Sequence, residues 1–212
     1  MINLKIFVFN SFAVNSFVLY DETGECAIID PGCHTEEEKN DLRSFITQNH
    51  LKPVVLINTH FHVDHILGNQ FVCSTYNLKP TGHVAGKFFW ETAREFGSVF
   101  NISLDEIAKP EIFVADGDVI RIGKAELEVR YTPGHADGSI CLVCHDQKFV
   151  IAGDVLFYGS IGRTDLPTGN FDTLMDSIHQ KLFVLENDYT VYPGHGPKTS
   201  IGFERLNNPF IQ

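Results

Sequence analysis

Short apolar runs separated by polar turns fill the first part of the chain, and this alternation predicts β-strands. A helix is predicted to begin at Thr35, because Thr35 and Glu38 have the spacing of a capping box. The apolar run Val54–Ile57 is long enough only for a buried strand, and a further helix is predicted after Asp64. The strands predicted before Thr35 are Leu4–Phe9, Ala13–Tyr20 and Ala27–Ile29.

The middle of the chain is rich in aromatic residues and predicts one helix, about Phe88–Phe100, followed by a loop. Within it, Phe88, Phe89 and Trp90 are expected in the core rather than in a pocket wall. A second long helix, Phe171–Leu185, is predicted between strands of the second half. Those strands are Val119–Ile122, Leu127–Tyr131, Ile140–Val143, Phe149–Ile151 and Thr190–Tyr192. Strands followed by a helix, twice over, predict two sheet-and-helix halves packed as one domain over residues 1–212.

Composition narrows the class of protein. The net charge of −11 argues against nucleic acid as a partner, because no basic stripe could neutralise several phosphates. No segment approaches the roughly 20 apolar residues of a membrane span, and the N-terminus lacks a basic region and a cleavage site. Five cysteines without a disulfide spacing indicate free thiols, hence a reducing compartment, by default the cytoplasm. Cys141 and Cys144 lie three apart in a predicted strand, so their thiols should face opposite sides and share no metal.

Candidate chemistry is concentrated directly after the buried strand Val54–Ile57. His60, His62, Asp64 and His65 offer four potential metal ligands within six residues. Imidazole and carboxylate groups are ligands that zinc and similar divalent metals accept. His60 and His62, two apart in an extended segment, should project to the same side and hold one ion together. Asp64 and His65 lie where the chain turns towards a helix and could serve a second ion nearby.

Three further residues follow predicted strands in the same way. His135 ends the segment Tyr131–His135, Asp154 ends Ile151–Asp154, and His195 ends Tyr192–His195. In each case a glycine precedes the side chain and lets the backbone turn closely. Because ligands in α/β folds gather at the carboxyl ends of strands, these ends are expected to converge. Asp154, a carboxylate with no neighbouring histidine, suits a bridge between two cations.

These motifs, spread from Asp30 to His195, closely resemble those of the metallo-β-lactamase superfamily. The resemblance implies an α/β fold, a four-layer αβ/βα sandwich with the metals at one edge. It also implies two metal sites, the first formed by His60, His62 and His135, the second by Asp64, His65 and His195, with Asp154 bridging them.

Within that superfamily, Ala152–Phe157 and Gly162–Asp165 look most like the glyoxalase II branch, which hydrolyses hydroxyacyl-glutathione thioesters. The resemblance implies a small, anionic thioester as substrate, and Arg163 and Lys198 are the candidates to bind it. Two features depart from the branch. Only 17 residues follow His195, so a C-terminal glutathione-binding region is not expected, and the last ligand is followed by Gly196–Lys198 rather than by a nearby tyrosine.

Two divalent metals, zinc in the first place with iron or manganese as alternatives, would share a hydroxide that attacks the carbonyl. Asp64 and Asp154 are the catalytic candidates, Asp64 as the residue that orients the hydroxide. Three alternatives stay open: hydrolysis of another ester or lactone, a persulfide dioxygenase with one iron on His60, His135 and Asp154, and a module that binds metal without turnover. The remaining histidines are predicted to be structural or exposed: His34, His50, His83, His145 and His179.

Overall fold

The computed structural model describes residues 1–104 and 106–211, and within them twelve strands form two six-stranded sheets. The first sheet begins as an antiparallel meander of three strands and continues with three strands in parallel. Its strands, in spatial as well as chain order, are β1 (Asn3–Phe9), β2 (Val14–Tyr20), β3 (Glu25–Ile29), β4 (Lys52–Ile57), β5 (Pro80–Gly82) and β6 (Ile112–Phe113).

The second sheet is built from the second half of the chain in the order β14-β13-β10-β9-β8-β7. Its neighbours are antiparallel except for β10 and β13, which run parallel. The strands are β7 (Val119–Ile122), β8 (Ala125–Tyr131), β9 (Ile140–Cys144), β10 (Phe149–Gly153), β13 (Thr190–Pro193) and β14 (Thr199–Ser200). A separate hairpin pairs β11 (Leu156–Phe157) with β12 (Ser160–Ile161).

Helices cover the outer face of each sheet. On the first sheet, Leu42 and Val72 pack against Val18 and Ile28. On the second sheet, residues of the C-terminal helices pack against Val143 and its neighbours. The helices are α1 (Glu36–Gln48), α2 (Val63–Ile66), α3 (Asn69–Tyr76), α4 (Lys87–Glu91), α5 (Ala93–Val99), α6 (Phe171–Ser177), which continues as a π-helical turn (Ile178–Leu182), and α7 (Ile201–Asn207).

The two sheets face each other across the largest apolar core. Its buried members come from both sheets and include Phe17, Leu19, Ile29, Leu127, Ile140 and Leu142. Side chains alternate between faces along a strand, so in β2 Phe17 and Leu19 lie in the core between the sheets and Val18 lies on the helical side. Helix, sheet, sheet and helix therefore stack in four layers, and the predicted αβ/βα sandwich is confirmed.

Several local predictions are confirmed. Thr35 and Glu38 form both hydrogen bonds of a capping box at the start of α1. Cys141 and Cys144 are buried on opposite faces of β9, one packed on the helical side and the other in the core between the sheets. The helix predicted after Asp64 begins one residue before it, at Val63.

The single helix predicted over Phe88–Phe100 was wrong, because the segment forms two short helices, α4 and α5. They separate at Thr92, whose hydroxyl donates to the carbonyl of Phe88 at 2.7 Å. A β-branched hydroxyl residue that bonds the preceding turn competes with continued helix formation. The core prediction for this segment holds for Trp90, which is buried and is not among the described residues that line the cavity beside this segment. Phe89 is buried but also lines that cavity, and Phe88 is 39% exposed, so the prediction does not hold for these two residues.

No helix among residues 1–104 and 106–211 has the length and apolar character needed to cross a membrane.

The substitution Thr35→Ala should lower the free energy of unfolding by about 1 kcal/mol, because it removes the side-chain acceptor for the Glu38 amide. Thr47→Ala is the matched control in the same helix. Its hydroxyl only bonds back to the carbonyl of Arg43, and alanine has the higher helix propensity, so no loss is expected. Urea denaturation of both variants measures the difference, and equal losses would contradict the capping role.

Candidate metal centre

The seven predicted ligands come together at one edge of the sandwich, where four strands end. Strand β4 is followed by the extended segment 58–62 and then by α2, and these two elements supply His60, His62, Asp64 and His65. The other three ligands follow strands of the second sheet: His135 after β8, Asp154 directly after β10, and His195 after β13. Because these four strands end at the same edge of the sandwich, side chains from both halves of the chain meet there.

The first ligand group consists of His60, His62 and His135. The Nδ1 atom of His62 lies 3.1 Å from Nε2 of His60 and 2.9 Å from Nε2 of His135. All three rings are largely buried and meet edge to face. Three ring nitrogens converging on one point form a donor set that a single divalent cation can occupy.

The second ligand group consists of Asp64, His65 and His195. The Oδ2 atom of Asp64 lies 3.5 Å from Nε2 of His65 and 3.2 Å from Nε2 of His195. The two imidazole Nε2 atoms are 3.3 Å apart. This arrangement of two imidazoles and a carboxylate can receive a second cation.

Asp154 lies between the two groups. Its Oδ1 atom is 3.5 Å from Nε2 of His65, and its Oδ2 atom is 3.6 Å from Nε2 of both His135 and His195. Gly194 makes this approach possible, since a Cβ atom there would lie 2.2 Å from Asp154 Oδ1. The Oδ1 atom is buried and has no hydrogen-bond partner among the described residues. A buried carboxylate oxygen without a donor is costly, and a cation bound at this point would remove the cost.

The electrostatics of the two groups differ. Burial and the neighbouring imidazoles lower the pKa of His60, and for the same reasons the pKa of His62 falls to about 3. These imidazoles are therefore neutral and offer the lone pairs that metal binding requires. Burial disfavours the charged form of His65, but Asp64 and Asp154 outweigh it and raise the pKa of that imidazole well above its usual value. The second group therefore attracts positive charge.

Hydrogen bonds from the outer ring nitrogens orient three of the histidines. Nδ1 of His135 donates to the carbonyl of Arg163 at 2.8 Å, and Nδ1 of His195 donates to the carbonyl of Phe12 at 3.0 Å. Nδ1 of His65 lies 3.1 Å from the carboxylate of Asp30. With Nδ1 engaged in these bonds, Nε2 is the ring atom left for a metal, and in all three residues Nε2 faces the centre.

The sequence reasoning missed the supporting role of Asp30 and Thr59. The fully buried carboxylate of Asp30 accepts from the Thr59 amide at 2.7 Å and from the Thr59 hydroxyl at 2.5 Å. Because that hydroxyl donates to Asp30, its oxygen accepts from Nδ1 of His60, 3.2 Å away. The signal in the sequence was weak, as a polar residue directly after the apolar strand Ala27–Ile29 is a pattern that many turns share.

The donor set fits two divalent metal ions. It offers five imidazoles and two carboxylates, the ligand types of zinc and of non-haem iron. No ligand comes from the cysteines, and burial raises the pKa of Cys141 to about 12, so this thiol stays protonated.

A cavity of about 360 Å³ opens over both ligand groups. Arg163 lies at its edge, where the exposed guanidinium forms a two-pronged ion pair with Asp165, both contacts being 2.7 Å. Lys198 is exposed and is not among the described residues that line the cavity. His83 stacks on Tyr131 and accepts from the Ala85 amide, a structural role as predicted.

Many known proteins are similar to this chain in sequence or in overall structure. Residues 10–195 match the model of the Metallo-beta-lactamase superfamily. The chain is 33% identical to hydroxyacylglutathione hydrolase GloC of Haemophilus influenzae over 99% of this chain and 98% of that protein. It superposes on the crystal structure of BLEG-1 B3 metallo-beta-lactamase with a TM-score of 0.89 at 31% identity, covering 99% and 100% of the two chains. For TTHA1623 in a di-iron-bound form, the TM-score is 0.87 at 27% identity, covering 97% and 99%.

The substitution Thr59→Val should weaken metal binding about 10- to 100-fold, because it removes the hydroxyl between Asp30 and His60 while keeping the side-chain volume. Thr59→Ser retains the hydroxyl and serves as the matched control. Metal affinity is measured by competition with a chelator at fixed protein concentration. If Thr59→Ser loses as much affinity as Thr59→Val, the packing of the methyl group and not the hydroxyl positions His60.

Proposed function

The chain belongs to the metallo-beta-lactamase superfamily, and on that basis we propose that it is a dinuclear metal-dependent hydrolase of thioesters. Relatives named as hydrolases support metal-dependent hydrolysis of a small molecule. The observation that carries the two-metal proposal is the position of Asp154, which lies within 3.6 Å of a histidine in each ligand group. One carboxylate serving two cations suits a dinuclear hydrolase.

In this proposal His60, His62 and His135 hold one ion, Asp64, His65 and His195 hold the other, and Asp154 contacts both. The ions, when bound, supply a hydroxide nucleophile at neutral pH and draw electron density from the substrate carbonyl. Zinc is the metal we propose, and iron is an alternative because the TTHA1623 relative binds two irons.

The chain's own residues orient the reactants. The Oδ2 atom of Asp64 lies 3.2 Å from Nε2 of His195 and Asp64 borders the cavity, so its carboxylate is placed to accept a hydrogen bond from the attacking water. The water adds to the carbonyl carbon, the C–S bond breaks, and the products are a carboxylate, a thiol and one proton. The outer hydrogen bonds of His65, His135 and His195 keep their rings fixed during these steps.

The leaving group argues for a thioester over an amide. Among the described residues that line the cavity, Arg163 is the one ionisable side chain outside the proposed ligands, and a guanidinium is no proton donor at neutral pH. A thiolate, from a thiol of pKa about 8.5, departs with little need of protonation. An amine leaving group needs a proton, which disfavours lactam or peptide cleavage at this site.

His195→Ala should reduce the metal content from about two ions to about one per chain and lower kcat/KM for S-lactoylglutathione by more than tenfold, because a ligand of the second ion is lost. His179→Ala, a histidine exposed outside the site, is the control and should change neither. Elemental analysis and a thioester cleavage assay measure both quantities. One iron per chain in wild type and His195→Ala alike, with oxygen uptake from a persulfide intact, would favour the dioxygenase with His60, His135 and Asp154 as ligands.

Arg163→Ala should raise KM for an anionic thioester without lowering kcat, because the guanidinium is at the cavity edge and the backbone carbonyl that orients His135 is unchanged. Asp165→Ala should have the opposite effect on KM, since it frees Arg163 from its ion pair. Steady-state kinetics of the two variants test this pair. An unchanged KM in both would show that Arg163 serves only its ion pair with Asp165.

A further inference from the structure

The cavity over the metal centre is bounded by an aromatic wall, which we define as Phe12, Phe61, Phe89, Phe96 and Phe100. Three of these rings belong to the segment that forms α4, α5 and the residue after them. The other two come from the loop before β2 and from between the ligands His60 and His62. The wall therefore combines parts of the chain that are distant in sequence.

The aromatic wall reaches both ligand groups directly. The ring of Phe89 packs edge-on to His62 with centroids 4.7 Å apart. Phe12 lies at the other group, where its carbonyl accepts from His195, and its ring packs edge-on to Phe100 at 5.2 Å. If the carbonyl carbon of a substrate lay between the two ligand groups, the acyl chain attached to it would be surrounded by apolar side chains.

Polar partners for a substrate are scarce along this wall. Apart from the proposed ligands, Arg163 is the only described lining residue with a polar side chain, and it lies in an ion pair with Asp165. A hydroxyl group on the acyl chain would lose its water on entering and find aromatic carbon instead, which is unfavourable. An alkyl or aryl group would gain from the same transfer.

We propose that the site takes thioesters whose acyl group is apolar, an alkyl or arylalkyl chain, in preference to hydroxyacyl groups. This inference rests on the proposed thioester hydrolysis and adds the substrate class. The acyl chain lies against the aromatic wall, and the charged thiol carrier lies at the cavity mouth beside Arg163. The cavity volume of about 360 Å³ is in the range of small-molecule sites and accommodates such a chain.

Phe100 gives independent support for a ligand that covers this wall. Its ring is 50% exposed although it contacts Phe12, and its neighbour Val99 is 74% exposed. Both residues line the cavity. Apolar side chains that border a concave site and remain open to water are typical of ligand-binding surfaces. A bound apolar chain would remove these side chains from water.

The test compares glutathione thioesters of acetic, butyric, hexanoic, phenylacetic and lactic acids on the metal-loaded enzyme. Each methylene that is buried should raise kcat/KM about fourfold, so hexanoyl should exceed both acetyl and lactoyl by at least about tenfold. The proposal would be overturned if lactoyl-glutathione were the best substrate and no thioester with an apolar acyl chain exceeded it. The proposal would also be overturned if the lactoyl thioester of benzyl thiol had a higher kcat/KM than hexanoyl-glutathione. In that case the aromatic wall would bind the thiol carrier and not the acyl group.

Substitutions in the aromatic wall test whether it causes the preference for apolar acyl chains. Phe96→Ala and Phe100→Ala should each reduce the hexanoyl-to-acetyl ratio of kcat/KM about tenfold. Phe210→Ala, an exposed phenylalanine that does not line the cavity, is the matched control and should keep the ratio. Equal ratios in all four proteins would contradict the assignment of the acyl chain to the wall.

Binding of the product acids separates this inference from the proposed function. Calorimetry with hexanoate, phenylacetate and lactate needs no turnover, and hexanoate should bind at least about tenfold more tightly than lactate. If no thioester is cleaved but hexanoate binds preferentially, the proposed reaction fails and the apolar site stands. If thioesters are cleaved but lactate binds as well as hexanoate, the reaction stands and the apolar site fails.

Discussion

The buried carboxylate of Asp30 is the constraint on which the rest of the site depends. It is fully buried between the strands and the ligand-bearing segment, and a buried charge is tolerated only when hydrogen bonds replace its water. The Thr59 amide, the Thr59 hydroxyl and His65 Nδ1 supply those bonds. The same three contacts fix the path of the chain after β4 and the ring of His65. Satisfying one carboxylate therefore orients residues of both ligand groups, His60 through Thr59 and His65 directly.

The second sheet is joined to this arrangement through the start of β2. Asn15 donates from its side chain to the carbonyls of Pro193 and Gly196, and its amide donates to Gly194. These bonds fasten the segment that carries His195 to the first sheet. Because ligands of each group come from both sheets, the complete donor set forms only when the two halves are packed together. Metal binding and folding are consequently linked, and bound ions should stabilise the folded chain.

The sequence predicted the long elements and the ligand candidates because both leave repeating local signals. Strand-end placement was enough to single out His135, Asp154 and His195, and the spacing of Thr35 and Glu38 was enough for a helix start. Strands β5 and β6 were missed, since three and two residues are too short for any periodicity to be recognised. Helix α7 was missed too, although Ser200 caps it by accepting from the Phe203 amide. The supporting pair Asp30 and Thr59 could not be recognised, because their contact joins strand ends that are 29 positions apart.

The aromatic residues around Phe89 and Trp90 show why one prediction cannot hold for a whole segment. Trp90 turns into the core against Phe61, while Phe89, one position before it, packs on His62 and borders the cavity. A periodic pattern predicts which side of a helix is apolar, but core and pocket wall are both apolar, so pattern alone cannot separate them. In this fold the proposed ligands and most of the aromatic wall come from different parts of the chain. The proposed ligands follow strand ends of both sheets, whereas three of the five wall residues belong to the two short helices after β5 and the residue that follows them. Side chains such as Phe96 and Phe100 can therefore change the shape of the cavity while the donor set of the metal centre stays the same.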